Sequence, residues 1–115
     1  MHQTWNSLTS KDQLQTIDQN SHIKPVAIFK HSTRCGISSM AEHALKNGWN
    51  WTDEDLDFYH LDLLSFRDIS NEIASHYNVV HQSPQLIWIE GGQASDVRTH
   101  HAIEPSVIEG WLAKR

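Results

Sequence analysis

A single cysteine, Cys35, stands in 115 residues. No internal disulfide can form, and a reducing, cytoplasmic setting is expected. Basic residues are in the minority, with nine Lys and Arg against fourteen Asp and Glu and a net charge of -5. A general nucleic-acid binder needs the opposite balance. No apolar run approaches the roughly 20 residues of a spanning helix, so no membrane association is expected. The opening "MHQTWNSLTS" lacks a basic region followed by an apolar stretch, so no signal peptide is expected. There is no internal repeat, low-complexity tract or Pro/Gly-rich linker. A single domain over residues 1–115 is therefore expected, long enough to bury a real core.

What is present reads as alternating helices and strands. "LTSKDQLQTI" has Thr9 or Ser10 as cap and Leu14 and Ile17 on one face. "PVAIF" is a continuous apolar run, suited to a strand covered on both sides. After Cys35, the residues Ile37, Met40, Ala41, Ala44 and Leu45 form a helical stripe that Gly48 ends. "FYHLDLL" reads as a strand; Ser65 and Asp68 suggest a capping box for a third helix with Phe66, Ile69, Ile73 and Tyr77 inward. "LIWIE", Gly91-Gly92 and "ASDVRTHH" read as a hairpin, and Pro105 opens a last helix carrying Val107, Ile108, Trp111 and Leu112. The order is α-β-α-β-α-β-β-α. The first two strands are joined by a helix and should be parallel. This is an α/β chain with the element order of a thioredoxin fold, a central mixed sheet flanked by helices.

The chemistry centres on "HSTRCGISSM". A thiol at a helix start lies near unpaired backbone N–H groups and the positive end of the helix dipole. Both favour the thiolate, the form that attacks disulfides. Arg34 is adjacent, Lys30 lies just upstream, and Ser38 is one turn on, where its hydroxyl could reach the sulfur. The competing reading is an inert buried cysteine. Ser83-Pro84 precedes a strand and by itself reads as an ordinary trans strand-entry proline; paired with a cysteine-headed helix in this topology, it suggests the cis-proline loop that faces the cysteine in thioredoxin-fold proteins. Nine histidines raise the question of a metal, but no HExxH or paired CxxC occurs, and none is expected. His100-His101 on a strand would point to opposite faces. His31 and His81 lie beside the two site loops, each equally readable as a partly exposed loop histidine.

"FKHSTRCGISSMA" closely resembles the signature of the monothiol bacilliredoxin family of the YtxJ type, and "VVHQSPQLIW" resembles its cis-proline segment. "THHAI" and "WNSLTSKDQL" are similar to its late and opening motifs, so the resemblance spans nearly the whole chain. It implies a thiol-disulfide oxidoreductase that removes bacillithiol from protein mixed disulfides. Cys35 would be the nucleophile, with Ser38 and Arg34 assisting. Lys30, His31, Ser32, Thr33, His81, Ser83 and Pro84 would line the substrate site. Bacillithiol would be co-substrate, with no tightly bound cofactor and no metal; the partners would be bacillithiolated proteins and a low-molecular-weight thiol. Gly36 departs from a pattern in which a side chain commonly follows the cysteine.

That glycine keeps a rival open. "CGIS" differs by one residue from the CGFS motif of glutaredoxins that carry iron–sulfur clusters with glutathione. Against it, "HHAIEPS" stands where those proteins have a Gly-Gly pair, and "HSTR" replaces their longer proline-containing loop. A redox-inert thioredoxin-like binding module is the non-enzymatic alternative.

Overall fold

The computed structural model describes residues 4–115. Ten elements follow one another: β1 (Trp5–Ser7), α1 (Asp12–Asn20), β2 (Val26–His31), α2 (Gly36–Asn47), β3 (Asp57–Asp62), α3 (Arg67–His76), β4 (Gln85–Glu90), β5 (Gln93–Thr99), a 3-10 turn (His100–Ala102) and α4 (Pro105–Ala113). The strands form one sheet in the order β1-β3-β2-β4-β5. β2 is central, parallel to β3 and antiparallel to β4. All six of its residues are buried, as a strand covered on both faces requires.

Alternation along β2 divides the core in two. Val26 and Ile28 pack with Leu14 and Ile17 of α1 and Ile69 and Ile73 of α3. Ala27 and Phe29 pack with Ala41 and Leu45 of α2 and Ile108 and Trp111 of α4. Truncating any fully buried member, such as Ile17 or Phe29, to alanine costs about 2–5 kcal/mol. The strand continues its alternation past the apolar run. Lys30 therefore enters the α1/α3 side and His31 the α2/α4 side.

Several local expectations give way to tertiary context. β1 is an additional strand, parallel to β3 and only three residues long, too short for an apolar pattern to reveal. The regular first helix runs from Asp12, and Ser10 caps its start as expected: its Oγ accepts the N–H of Asp12 at 3.2 Å, while Gln13 Oε1 accepts the N–H groups of Thr9 and Ser10. The Ser65–Asp68 capping box does not form, because Ser65 donates its hydroxyl proton to Asp62. The inward stripe of α2 is rotated: Ser38 is fully buried, whereas Met40 is 65% exposed. His100 and His101 leave the strand; β5 ends at Thr99, and His100 turns into the left-handed region at φ 52°. The hairpin between β4 and β5 turns at Gly91 and Gly92, both at positive φ as a tight two-residue hairpin demands.

At its far end α2 stops at Gly48, against the first residue of α4. A Cβ at position 48 would lie 2.5 Å from Cγ of Pro105. Only glycine allows that approach. Among the described residues no helix is long and apolar enough to cross a membrane.

Candidate active site

Cys35 is the N-cap residue of α2, with extended backbone (φ -114°, ψ 118°). Its N–H donates to Ser32 O at 3.2 Å, closing a tight turn, and its carbonyl accepts Ser39 N–H at 3.0 Å, starting the helix. The thiol is free and partly exposed. Thr33 and Arg34 occupy the exposed tip of the turn. Gly36 begins the helix with open space around it. The cysteine therefore sits at a helix start with its orphan amides, and the exposed Arg34 precedes it in the chain.

Beneath the turn lies a polar layer. Ser38 Oγ accepts the N–H of Ser32 at 2.9 Å and is 2.7 Å from His31 Nδ1. These are the hydroxyl's partners in place of the sulfur that its spacing suggested. Ser32 and His31 are buried with it, 8% and 6% exposed, and support the turn from behind. On the far side of His31, Nε2 faces Glu42 Oε2 at 3.6 Å. The same carboxylate accepts from His60 Nε2 at 2.6 Å and from Lys46 at 3.2 Å. Burial lowers the His31 pKa, opposed by Glu42 and Asp62 and aided by His60 and Lys46. Burial pushes the Glu42 carboxyl up, but the His60 hydrogen bond, the His31 charge and Lys46 outweigh it and hold the group below its ordinary value.

Lys30 is placed otherwise than its position in the motif implied. Its side chain is fully buried on the α1/α3 side. The ammonium donates to Ser70 O at 3.0 Å and lies 3.2 Å from His81 Nδ1. It is thus no surface cation for an anionic small thiol. Burial lowers its pKa to about 8. His81 is exposed, with one ring nitrogen turned to Lys30; burial, then Lys30 and Arg67, lower its pKa. The loop before β4 contains a cis Ser83–Pro84 bond. Pro84 is buried and its carbonyl accepts the N–H of His100 at 3.2 Å. Gln85 Nε2 braces the same loop on Val80 O at 2.9 Å. Ser83 Oγ is buried without a hydrogen-bond partner among the described residues.

A groove of about 340 Å³ runs along α2 from Ile37 and Met40 to His100, His101 and Ile103, bringing the displaced histidines beside the cysteine helix. Among the described residues no group of three or more His, Cys, Asp or Glu side chains is placed to hold a metal ion. Glu42 and His60 carry no motif of their own. The only sequence signals for them were the i,i+4 step from Ser38 to Glu42 and the strand parity that puts His60 on the Phe58 face.

Known structures share this fold. A structure described as an oxidoreductase with a thioredoxin fold is 33% identical, with 93% of this chain and 92% of that one aligned and a TM-score of 0.78. Thioredoxin from Malassezia sympodialis is 21% identical over 95% of this chain and 88% of that one, TM-score 0.70. Thioredoxin NaTrxh from Nicotiana alata is 18% identical over 96% and 91%, TM-score 0.67. The last two establish the fold: a thioredoxin fold. The family model for monothiol bacilliredoxin BrxC matches residues 6–108, and with a lone cysteine heading α2 the chain belongs to the monothiol bacilliredoxin family.

Proposed function

We propose that this protein removes bacillithiol from protein mixed disulfides, using Cys35 alone. The observation that carries the reading is the solitary thiol at the start of α2, at a position where no second cysteine can resolve it. Family membership supports the redox class. The Cys35 thiolate attacks the small-thiol sulfur of the mixed disulfide. A new Cys35–bacillithiol disulfide forms, the old disulfide breaks, and the protein substrate leaves as its thiolate. A second bacillithiol thiolate then attacks this adduct, releasing Cys35 and oxidised bacillithiol. Overall one disulfide is exchanged for another: the protein sulfur is reduced to a thiol, the incoming bacillithiol is oxidised, and the transferred bacillithiol stays at the disulfide level. Arg34 is exposed and directly precedes Cys35 in the chain, and so is the cation offered to a bacillithiol carboxylate. Cytoplasmic residence accords with such reducing chemistry.

Mass spectrometry tests this directly. Incubating the reduced protein with oxidised bacillithiol adds one small-thiol mass, mapping to Cys35, and reduced bacillithiol removes it. Cys35→Ala forms no adduct. An accessible, folded Cys35 that acquires no mass would defeat the proposal. A stoichiometric iron–sulfur cluster after anaerobic purification would favour glutaredoxin-like chemistry instead.

A further inference from the structure

Lys30 is a buried cation that fixes the state of its neighbour. Its ammonium can only donate, and it lies 3.2 Å from Nδ1 of His81. That nitrogen has to offer a lone pair, so neutral His81 carries its proton on Nε2. His81 is exposed, and with Nδ1 turned inward its Nε2–H is the edge left for an outside partner. The place where this donor stands is set by α3. Lys30 Nζ donates to Ser70 O at 3.0 Å, and Ser70 Oγ is 3.5 Å from the same His81 Nδ1. His81 therefore lies against the first turn of α3. Arg67 is three residues before Ser70, on the same side of the helix and one turn nearer its start. It is exposed and takes part in no ion pair among the described residues. The helix start has no side-chain cap, so its orphan amides add positive potential. The charged groups that act on His81 are Lys30 from β2 and Arg67 from α3, both cations; Asp68, exposed in the same turn, is not among them. On the other face of β2 the basic groups gather around Glu42. Here three of them gather around no anion.

We propose that His81 and Arg67 form a binding site for a compact oxyanion, a carboxylate or a phosphoryl group, with Lys30 behind them holding the His81 Nε2–H outward. The anion accepts from the imidazole N–H and from the guanidinium, both charge-assisted bonds on its side. Lys30 is fully buried and does not touch the ligand. It sets the tautomer of His81 and supplies charge from within. No covalent bond is made or broken. The bound anion is the counter-charge that the ammonium lacks, so it favours the charged form of each basic group. Lys30, held at about 8, should move up, and His81, held below its ordinary value, should move up with it.

Sulfate and acetate are the probes, standing for the phosphoryl and the carboxylate source, with chloride at equal ionic strength as the control. Nitrogen-15 NMR of the whole chain reads the tautomer and the titration of His81, and amide shifts against probe concentration give the affinity. The expected tautomer is Nε2–H. Saturating probe should raise the His81 midpoint above its value in chloride. Arg67→Gln alters an exposed side chain and should weaken binding about fivefold, the worth of one hydrogen bond. Lys30→Met should weaken it too and let the Nδ1–H tautomer appear. Tighter binding of sulfate assigns the site to a phosphoryl group, and tighter binding of acetate to a carboxylate. A neutral His81 protonated on Nδ1, probe effects no greater than those of chloride, or an affinity unchanged in Arg67→Gln would each overturn the site. None of these readouts uses Cys35, so a thiol that accepts no bacillithiol would sink the proposed function and leave this inference standing.

Discussion

Lys30 and His31 are neighbours in sequence and both are buried, yet they end on opposite faces of β2 and meet opposite fates. His31 faces a carboxylate, Glu42, that also serves His60 and Lys46. Among the described residues Lys30 has a backbone carbonyl and an imidazole as its hydrogen-bond partners and no ion-pair carboxylate. A buried cation without a counter-charge shifts toward its neutral form, and Lys30 falls from 10.5 to about 8. The α2/α4 face keeps charges near the cysteine by balancing them; the α1/α3 face tolerates one charge at a cost to stability.

The largest effect that could break this contrast is Lys30→Met. The folded pKa lies below the unfolded one, so the penalty is absent above pH 10.5, grows as pH falls, and is complete below about pH 8. A methionine of similar volume should therefore raise stability by about 2 kcal/mol at pH 7, with the gain gone above pH 10.5. Urea denaturation at both pH values measures it; a loss of stability at pH 7 would mean that the Ser70 and His81 bonds outweigh the burial of charge. Glu42→Gln should act in the opposite sense. It leaves His60 and Lys46 without their anion and should lower stability by about 1–2 kcal/mol at pH 7, read in the same denaturation experiment.

A smaller effect concerns acid. His31 and His81 both have folded pKa values below the unfolded 6.5, so the unfolded chain takes their protons first. Stability should decline as pH falls below 6.5, and His31→Asn should flatten that decline by less than about 1 kcal/mol. Glu42 adds its own loss only lower, as pH falls below 4.5 through its folded value. Denaturant midpoints between pH 7 and pH 4 would show the two stages, and a slope unchanged by His31→Asn would remove His31 from this account. The smallest effect is a control at the start of α2, away from the partners of Lys30 and His31. Gly36→Ala puts a methyl into open space at the first turn of α2 and should add about 0.5 kcal/mol without altering either pH response. Thermal melts at two pH values check it.

The sequence made the reactive centre legible because its signals are local. A lone cysteine before a helical pattern, and Ser-Pro before a strand, are each read from one short run of neighbouring residues. It hid the difference between Lys30 and His31 because "KHSTR" reads as a polar loop. The strand carries on through Lys30 and His31, whose partners on β3 are Leu61 and Asp62, and its pleat sends the two side chains apart. Met40 was assigned to the core by helical period; the polar bonds of Ser38 turn α2 so that serine goes inside and methionine outside. Glu42 and His60 meet only because α2 lies across β3, a relation that no spacing in the chain expresses.

Gly48 gives the cysteine helix a mechanical character. α2 is a rod of 12 residues, about 18 Å long at the usual rise per residue. One end carries the sulfur, and the other is wedged against Pro105, with no room for even a methyl group between them. A bulkier residue at position 48 would act as a shim under that far end. It would lever the rod about its contacts with the sheet, so that a substitution a full helix length from the thiol would change the aim of the sulfur.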